Sequence, residues 1–195
     1  MILKDLLTSP KLLSKIRKFR SGEIFDIVVY GSLVKGKEKI NDLDMGVILR
    51  DQKNLNKKLE YAEEFKRQLD FLNCEVDVKV IDLTDFMDVG FIARQAILAE
   101  GFSLIHKKYL HELFGFSISV LFEYSLSNLS YSQKKMLYYA LKGRRGQKGL
   151  LKIRKGVQIS RCVIEVPLEH TEEFKTLFQR YGIKYKIKNV LRYIM

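Results

Sequence analysis

The first half of the chain alternates between apolar runs typical of strands and apolar stripes typical of helices. Continuous apolar runs or strict alternation predict four strands, at 24–30, 42–49, 76–81 and 103–105. Apolar positions at helical spacing predict three helices. The first begins with Ser9 as its cap and Pro10 as its first residue, and the others cover 55–69 and 91–100. Strands that alternate with helices in this way indicate a mixed α/β domain.

The second half changes to the order strand, helix, basic segment, strand, helix, strand. The predicted strands are 116–124, 162–166 and 185–193. Ser130 and Gln133 predict a capping box for a helix over 131–142, and a second helix begins at Thr171 and ends before Gly182. This order fits a split β-α-β unit, as in ferredoxin-like RNA-binding domains. We therefore predict an α/β (α+β) chain with one domain over 1–110 and a small basic α+β domain over 111–195.

Composition narrows the class of protein. The chain has 195 residues, which suits one domain or two small ones. No apolar run approaches the roughly 20 residues of a membrane span, and charges interrupt the N-terminal residues, which predicts no signal peptide. Cys74 and Cys162 are the only cysteines, too few for a disulfide framework. We expect a cytoplasmic protein without membrane association.

The net charge of +12 is unevenly distributed. Residues 1–110 carry 19 basic and 17 acidic side chains, whereas residues 111–195 carry 16 basic and 6 acidic ones. The excess in the second half predicts a polyanion partner, for which RNA or DNA is the natural choice. A charged surface that binds nothing is the alternative interpretation.

The segment 142–161 holds the densest positive charge, with eight cations, no acid and four glycines. The glycines predict a loop or hairpin. We expect its cations to neutralise nucleic-acid phosphates. The candidate residues are Arg144, Arg145, Lys148, Lys152, Arg154 and Lys155.

A glycine–serine pair and two aspartates carry the clearest chemical signal. Gly31 and Ser32 follow a predicted buried strand, and Asp42 and Asp44 open the next one. Because strand residues i and i+2 face the same side, the two carboxylates project together. Their repulsion is costly on a buried strand unless a divalent cation relieves it. The pattern therefore predicts Mg²⁺ or Mn²⁺, which carboxylates and phosphate oxygens hold together.

A third carboxylate lies in the predicted strand 76–81. If this strand lies beside 42–49, Asp77 faces the same cleft as Asp42 and Asp44. It would then complete the metal site and help to deprotonate an attacking hydroxyl. Glu75 has the same parity and remains the alternative.

The turn after the first strand suits a phosphate group. Glycine lets the backbone approach an anion, and exposed N–H groups together with the Ser32 hydroxyl can cradle phosphate oxygens. Lys35, Lys37 and Lys39 are the cations available to a triphosphate, and the sequence does not choose among them. A solvated loop lysine is the alternative interpretation of each.

Taken together, these residues resemble the polymerase β-type nucleotidyltransferase superfamily, and within it the minimal nucleotidyltransferases of prokaryotes and archaea. The resemblance covers about residues 1–108. It is carried by Tyr30-Gly31-Ser32, Lys35-Gly36, Asn41-Asp42-Leu43-Asp44-Met45, Val76-Asp77-Val78 and the segment 97–105. The spacer before the aspartate pair is one residue shorter than is common, and Asn41 and Lys35 stand where serine and arginine are usual. These departures leave the nucleotide preference open.

The resemblance implies transfer of a nucleoside monophosphate from a nucleoside triphosphate, with ATP the expected donor, to an acceptor hydroxyl. Asp42, Asp44 and Asp77 would be the catalytic residues and the metal ligands. Gly31, Ser32 and Lys35 would bind the nucleotide. The acceptor stays open among RNA, a protein side chain and a small molecule.

Two other functions remain open. In the first, the nucleotidyltransferase fold is retained in a weakly active or inactive binding module, such as an antitoxin-like or nucleic-acid-binding protein with a protein partner. In the second, the aspartate pair is coincidental in a plain nucleic-acid-binding protein. The three intact carboxylates favour the enzyme, because a degenerate member would usually have lost one.

Overall fold

A computed structural model describes residues 3–37, 41–72 and 74–193. The chain divides into two compact units, the first ending at Gly115 and the second beginning at Phe116. The sequence predicts a division after residue 110. The short helix at 110–113 belongs to the first unit because Leu110 packs into that unit's core.

The first unit contains a four-stranded mixed sheet with helices on its faces. Its elements are α1 (Leu3–Thr8), α2 (Pro10–Phe19), β1 (Ile24–Tyr30), β2 (Asp42–Leu49), α3 (Leu55–Leu69), β3 (Glu75–Asp82), α4 (Ala93–Glu100), β4 (Phe102–Ser103) and α5 (Leu110–Leu113). The strand order is β3-β2-β1-β4. Strands β2 and β3 run parallel, and the other pairs run antiparallel. The mixed α/β class predicted from the sequence is confirmed.

Strand alternation gives this sheet two buried faces. On one face, Val28 and Ile48 pack with Ile97 of α4 and Leu110 of α5. The side chains of opposite parity, such as Met45, are also fully buried. This double burial explains why β1 and β2 appear in the sequence as nearly continuous apolar runs.

Helix α2 begins as predicted, with the backbone N–H of Leu12 donating to the Ser9 hydroxyl at 3.3 Å. Two features of the first unit differ from the prediction. Helix α1 was not predicted, because charged residues interrupt the apolar pattern of its sequence. The apolar stripe of α3 is buried only in its second half. Phe65 packs against Phe19, while Leu55 and Leu59 are exposed.

The second unit contains a four-stranded antiparallel sheet. Its elements are β5 (Phe116–Tyr124), α6 (Tyr131–Lys142), β6 (Gly143–Arg144), β7 (Gln147–Lys148), α7 (Leu150–Ile153), β8 (Val157–Ser160), β9 (Val163–Pro167), α8 (Thr171–Arg180) and β10 (Tyr185–Tyr193). The strand order is β10-β5-β9-β8, and β6 and β7 form a separate hairpin. Without that hairpin and α7, the order is β-α-β-β-α-β, which is that of a ferredoxin-like unit, although β8 is not among the predicted strands.

An aromatic core holds the second unit together. Phe122 of β5 contacts Phe174 and Phe178 of α8, and Tyr185 of β10 closes the cluster. The capping box at Ser130 and Gln133 is confirmed. The segment 142–161 forms the predicted hairpin but continues into α7 and β8, which the sequence did not indicate. Across the described parts of both units, no helix is long and apolar enough to cross a bilayer.

Candidate active site

Four carboxylates share one face at one edge of the first sheet. Because β2 and β3 run parallel, their first residues lie at the same edge. Asp44 pairs in register with Asp77, and Asp42 pairs with Glu75. Residues in register face the same side, and strand alternation places Asp42 on that side with Asp44. We refer to Asp42, Asp44, Glu75 and Asp77 as the acidic edge.

Asp44 lies at the centre of this negative charge. Burial raises the pKa of its carboxyl, and the neighbouring carboxylates of Asp42, Asp77 and Glu100 raise it further. Lys35 opposes the shift by its positive charge. The acidic edge therefore concentrates more negative charge than the fold compensates.

Gly31 brings the backbone against the Asp44 carboxylate. A Cβ atom at this position would lie 2.2 Å from Asp44 Oδ2, so any side chain there would displace the Asp44 carboxylate. Gly31 also has a φ of +78°, in the left-handed region that favours glycine. The backbone conformation thus favours glycine at this position, directly beside the acidic edge, and any larger residue would also disturb the Asp44 carboxylate.

Asp77 is half-exposed and makes an ion pair with Lys79, at 3.1 Å from Oδ2 to Nζ. In the described ranges, no group of three His, Cys, Asp or Glu side chains is arranged to hold a metal ion as it stands. The structure therefore brings Asp42, Asp44 and Asp77 to one edge without gathering their oxygens around a shared centre. The donor set nevertheless suits Mg²⁺, because it consists of hard carboxylate oxygens whose repulsion a divalent cation would relieve.

The turn after β1 carries the nucleotide-binding candidates. Ser32 is half-buried, and its carbonyl accepts a hydrogen bond from the Lys37 N–H at 3.0 Å, which closes the turn. Lys35 Nζ contacts Glu100 Oε1 at 2.7 Å, whereas Lys37 is exposed. Lys39 lies outside the described residues. Of the two lysines that the structure describes, Lys35 therefore lies toward the acidic edge, through its contact with Glu100, and Lys37 does not.

Glu100 was not identified from the sequence. It is the last residue of α4, it is buried, and its Oε2 atom has no hydrogen-bond partner among the described residues. A buried carboxylate with one unpartnered oxygen is costly. Nothing in the apolar pattern of α4 points to it, because the residue matters through its contact with Lys35, which is distant in sequence.

Tyr30 was likewise identified only as part of the turn motif. It is buried and pairs in register with Asp44, so its ring faces the acidic edge. Burial raises the pKa of its phenol, and Asp44 and Asp77 raise it further. Tyr30 thus stays protonated and contributes an uncharged wall to the site.

The six basic candidates of the second unit fall into two groups. Arg144, Arg145, Lys148, Lys152 and Lys155 are exposed, on or beside the β6–β7 hairpin and α7. Arg154 differs because its guanidinium binds Glu173 at two points, with Nε to Oε2 at 2.7 Å and Nη2 to Oε1 at 3.2 Å. Among the described residues, no other cation of 142–161 makes an ion pair.

The glycines of this segment serve the packing of the hairpin. Gly143 has a φ of +95°, and a Cβ on it would lie 2.0 Å from the Gln147 carbonyl oxygen. A Cβ on Gly149 would lie 2.3 Å from the Gly143 nitrogen. These two glycines are therefore required where the two ends of the hairpin touch.

Residues 13–109 match the family model described as "Polymerase beta, Nucleotidyltransferase". A search of curated proteins finds no match. Two solved structures are similar over 48% of this chain and 69% of theirs. One, with 22% identity and a TM-score of 0.34, is described as a toxin-antitoxin with AMP-PNP. The other, with 21% identity and a TM-score of 0.34, is described as a mutant of the toxin-antitoxin MntA-HpeT.

Proposed function

Because residues 13–109 are a nucleotidyltransferase domain of the polymerase β family, we propose that the acidic edge transfers a nucleoside monophosphate from ATP or another nucleoside triphosphate to an acceptor hydroxyl. The observation that carries the proposal is the pairing of Asp44 with Asp77 beside Gly31, with Asp42 on the same face. Such uncompensated charge next to a phosphate-binding turn suits a cationic complex of metal and triphosphate.

Asp42, Asp44 and Asp77 would hold Mg²⁺ or Mn²⁺. The ion would supply positive charge for the triphosphate and lower the pKa of the attacking hydroxyl. The carboxylates would have to turn toward a shared centre, and Asp77 would have to exchange its contact with Lys79 for that role.

The surrounding residues have separate roles in this proposal. The Gly31–Ser32 backbone approaches the phosphates closely, and Lys35 balances their charge. Asp77 accepts the proton of the acceptor hydroxyl. The hydroxyl oxygen then bonds to the α-phosphorus, the bond from that phosphorus to the bridging oxygen breaks, and pyrophosphate leaves.

The second unit would hold a nucleic acid. The support for this role is its net charge and the exposed, unpaired cations of the segment 142–161. We refer to Arg144, Arg145, Lys148, Lys152 and Lys155 as the basic surface. A bound RNA is then either the acceptor or a regulator, and a protein hydroxyl is the other acceptor to test.

The test is incubation of the full chain with an α-labelled nucleoside triphosphate, Mg²⁺ or Mn²⁺, and either total RNA, total protein or buffer. Label should enter one fraction with the wild type and neither with Asp44→Asn. Asp51→Asn is the matched control, because Asp51 is an exposed aspartate just beyond β2 and outside the acidic edge. Equal labelling by wild type and Asp44→Asn would leave only the binding-module function.

A further inference from the structure

The second unit contains a cavity of about 590 Å³ beside the β6–β7 hairpin. One face of α6 lines it through Met136, Tyr139 and Ala140, at helical spacing, and Arg144 and Lys148 line it from the hairpin. Its volume lies within the range of small-molecule sites. It is open to solvent and large enough for a single nucleotide.

The lining combines aromatic, apolar and cationic groups. The Arg144 guanidinium lies over the Tyr139 ring, with Cζ 4.7 Å from the ring centroid. Tyr181, at the end of α8, contributes a second partly exposed ring. Tyrosine rings and arginine guanidinium groups are the surfaces on which unpaired bases stack.

Two large apolar side chains at the cavity remain exposed. Met136 is 58% exposed and Ile153 is 53% exposed, although both line the cavity. A planar base would cover this apolar surface. No acidic side chain among the described residues lines the cavity, so nothing in its described wall repels a phosphate.

The positive charge outside the cavity favours a nucleic-acid strand as the ligand rather than a free nucleotide. Arg145 and Lys152 are exposed and adjoin in sequence the lining residues Arg144 and Ile153, and exposed Lys155 comes two residues after Ile153. They would meet the phosphates on either side of an inserted base. A duplex would not suit the cavity, because its bases are stacked inside the helix.

We propose that this cavity binds one unstacked base of a single-stranded nucleic acid, with Tyr139 and Arg144 as the stacking surface. The inference rests on the proposed nucleic-acid binding by the second unit, and it specifies where a base of that nucleic acid binds. It requires neither metal nor triphosphate, so it can fail while nucleotidyl transfer stands.

Fluorescence anisotropy tests whether the cavity binds an unstacked base. The probes are fluorescein-labelled oligouridylate and oligothymidylate, titrated with the full chain in the presence of EDTA. Both strands should bind more tightly than a hairpin duplex, and polyglutamate should compete poorly. The oligouridylate and oligothymidylate affinities will show whether RNA or DNA is preferred. Tyr139→Ala and Arg144→Ala should each weaken strand binding about tenfold or more, whereas Tyr139→Phe should keep most of it.

The control for lost charge is Lys186→Ala. Lys186 is exposed on β10 and lies on the opposite sheet face from Tyr185, whose ring joins the core. Arg144→Lys separates charge from stacking, since it keeps the cation but loses the planar group. Arg144 is exposed, so its variants test the cavity even if Tyr139→Ala destabilises the unit.

Three results would overturn the proposal. Strand binding that is equally weakened by Lys186→Ala and Arg144→Ala would reduce the interaction to net charge. Duplex binding as tight as strand binding would place the contacts outside the cavity. Absence of binding by every nucleic acid would remove the basic surface as well, without affecting the labelling test of the acidic edge.

Discussion

The two units of this chain differ in the sign of their excess charge and in how far that charge is exposed to solvent. In the first, carboxylates accumulate at one sheet edge, where burial and the neighbouring carboxylates raise the pKa of Asp44. In the second, cations accumulate on an exposed hairpin with room around them. The acidic edge is therefore costly in the free protein and poised for a compact cation, whereas the basic surface costs little and suits an extended polyanion.

Within the basic segment 142–161, some cations have an acidic partner among the described residues and others do not. Arg154 belongs to the same basic segment as Arg145, yet Glu173 already binds its guanidinium at two points. Net charge by itself would have treated these residues alike. A charge that the fold leaves without a partner is the better indicator of a ligand.

The largest expected effect is the loss of transfer in Asp44→Asn. Removing this carboxylate should lower the transfer rate by about 10²- to 10³-fold or more, since it removes charge directed at the reacting groups. The rate of label transfer at saturating triphosphate checks this, with circular dichroism to show an intact fold. A variant rate within about threefold of wild type would separate the acidic edge from catalysis.

The Lys35–Glu100 pair offers a second test within the first unit. Lys35→Met should leave the buried Glu100 carboxylate unpaired and destabilise the protein by about 1–3 kcal/mol. Triphosphate affinity should fall about tenfold, as expected for one lost charge-assisted contact. Denaturant unfolding and nucleotide titration measure the two effects.

Adding Glu100→Gln to Lys35→Met separates the effect of Lys35 on stability from its effect on triphosphate binding. The double variant should recover stability, because no buried carboxylate remains, but not triphosphate affinity. If affinity returned together with stability, Lys35 would act only by satisfying Glu100.

For the basic surface, a salt series distinguishes free cations from paired ones. If about five phosphates are neutralised, log affinity should fall with log salt at a slope of roughly −3.5 to −4.5. Arg145→Ala should reduce that slope by about 0.7 to 0.9 and leave stability unchanged. Arg154→Ala should instead cost about 0.5–1 kcal/mol of unfolding free energy, because it removes the partly exposed pair with Glu173. If Arg154→Ala reduced the slope and Arg145→Ala reduced the stability instead, Arg154 would be the cation that binds nucleic acid and Arg145 the structural one.

The smallest expected effect is the pH dependence of the acidic edge without metal. The pKa of Asp44 is raised in the folded state, so the unfolded chain loses this proton first as pH rises. As pH rises from 3.8, the ordinary pKa of an aspartate, to the raised pKa of Asp44 in the folded protein, the contribution of Asp44 to stability decreases. Above that folded pKa the contribution stays low. Asp44→Asn should be more stable than wild type by about 0.5–1 kcal/mol at neutral pH, and not at low pH. Thermal unfolding across pH, with EDTA present, checks the sign.

How far the sequence predicts this structure depends on whether the signal is local. The strands β1 and β2 match their predicted bounds, because apolar runs between turn residues determine them. The turn at Gly31 and the parity of Asp77 could also be inferred from short patterns. Helix α7 and strand β8 have only four residues each, which is too short for a periodic pattern to predict them.

The remaining features depend on contacts between residues distant in sequence. Glu100 matters because Lys35, from another part of the first unit, makes an ion pair with it. Arg154 is likewise paired with Glu173, so its charge is already partly neutralised. The cavity exists because residues of α6, the hairpin and α8 meet. No pattern within a single element contains that information.

The most direct test of the central claim is binding of Mn²⁺ to the full chain with and without a non-hydrolysable nucleoside triphosphate. If the acidic edge is the catalytic centre, Mn²⁺ should bind weakly alone and at least about tenfold more tightly with the analogue, whose phosphate oxygens complete the shell. Asp42→Asn and Asp44→Asn should abolish that gain, and Asp51→Asn should keep it. A gain that persists in both acidic-edge variants would place the metal and the nucleotide elsewhere and would show that the acidic edge is not the catalytic centre.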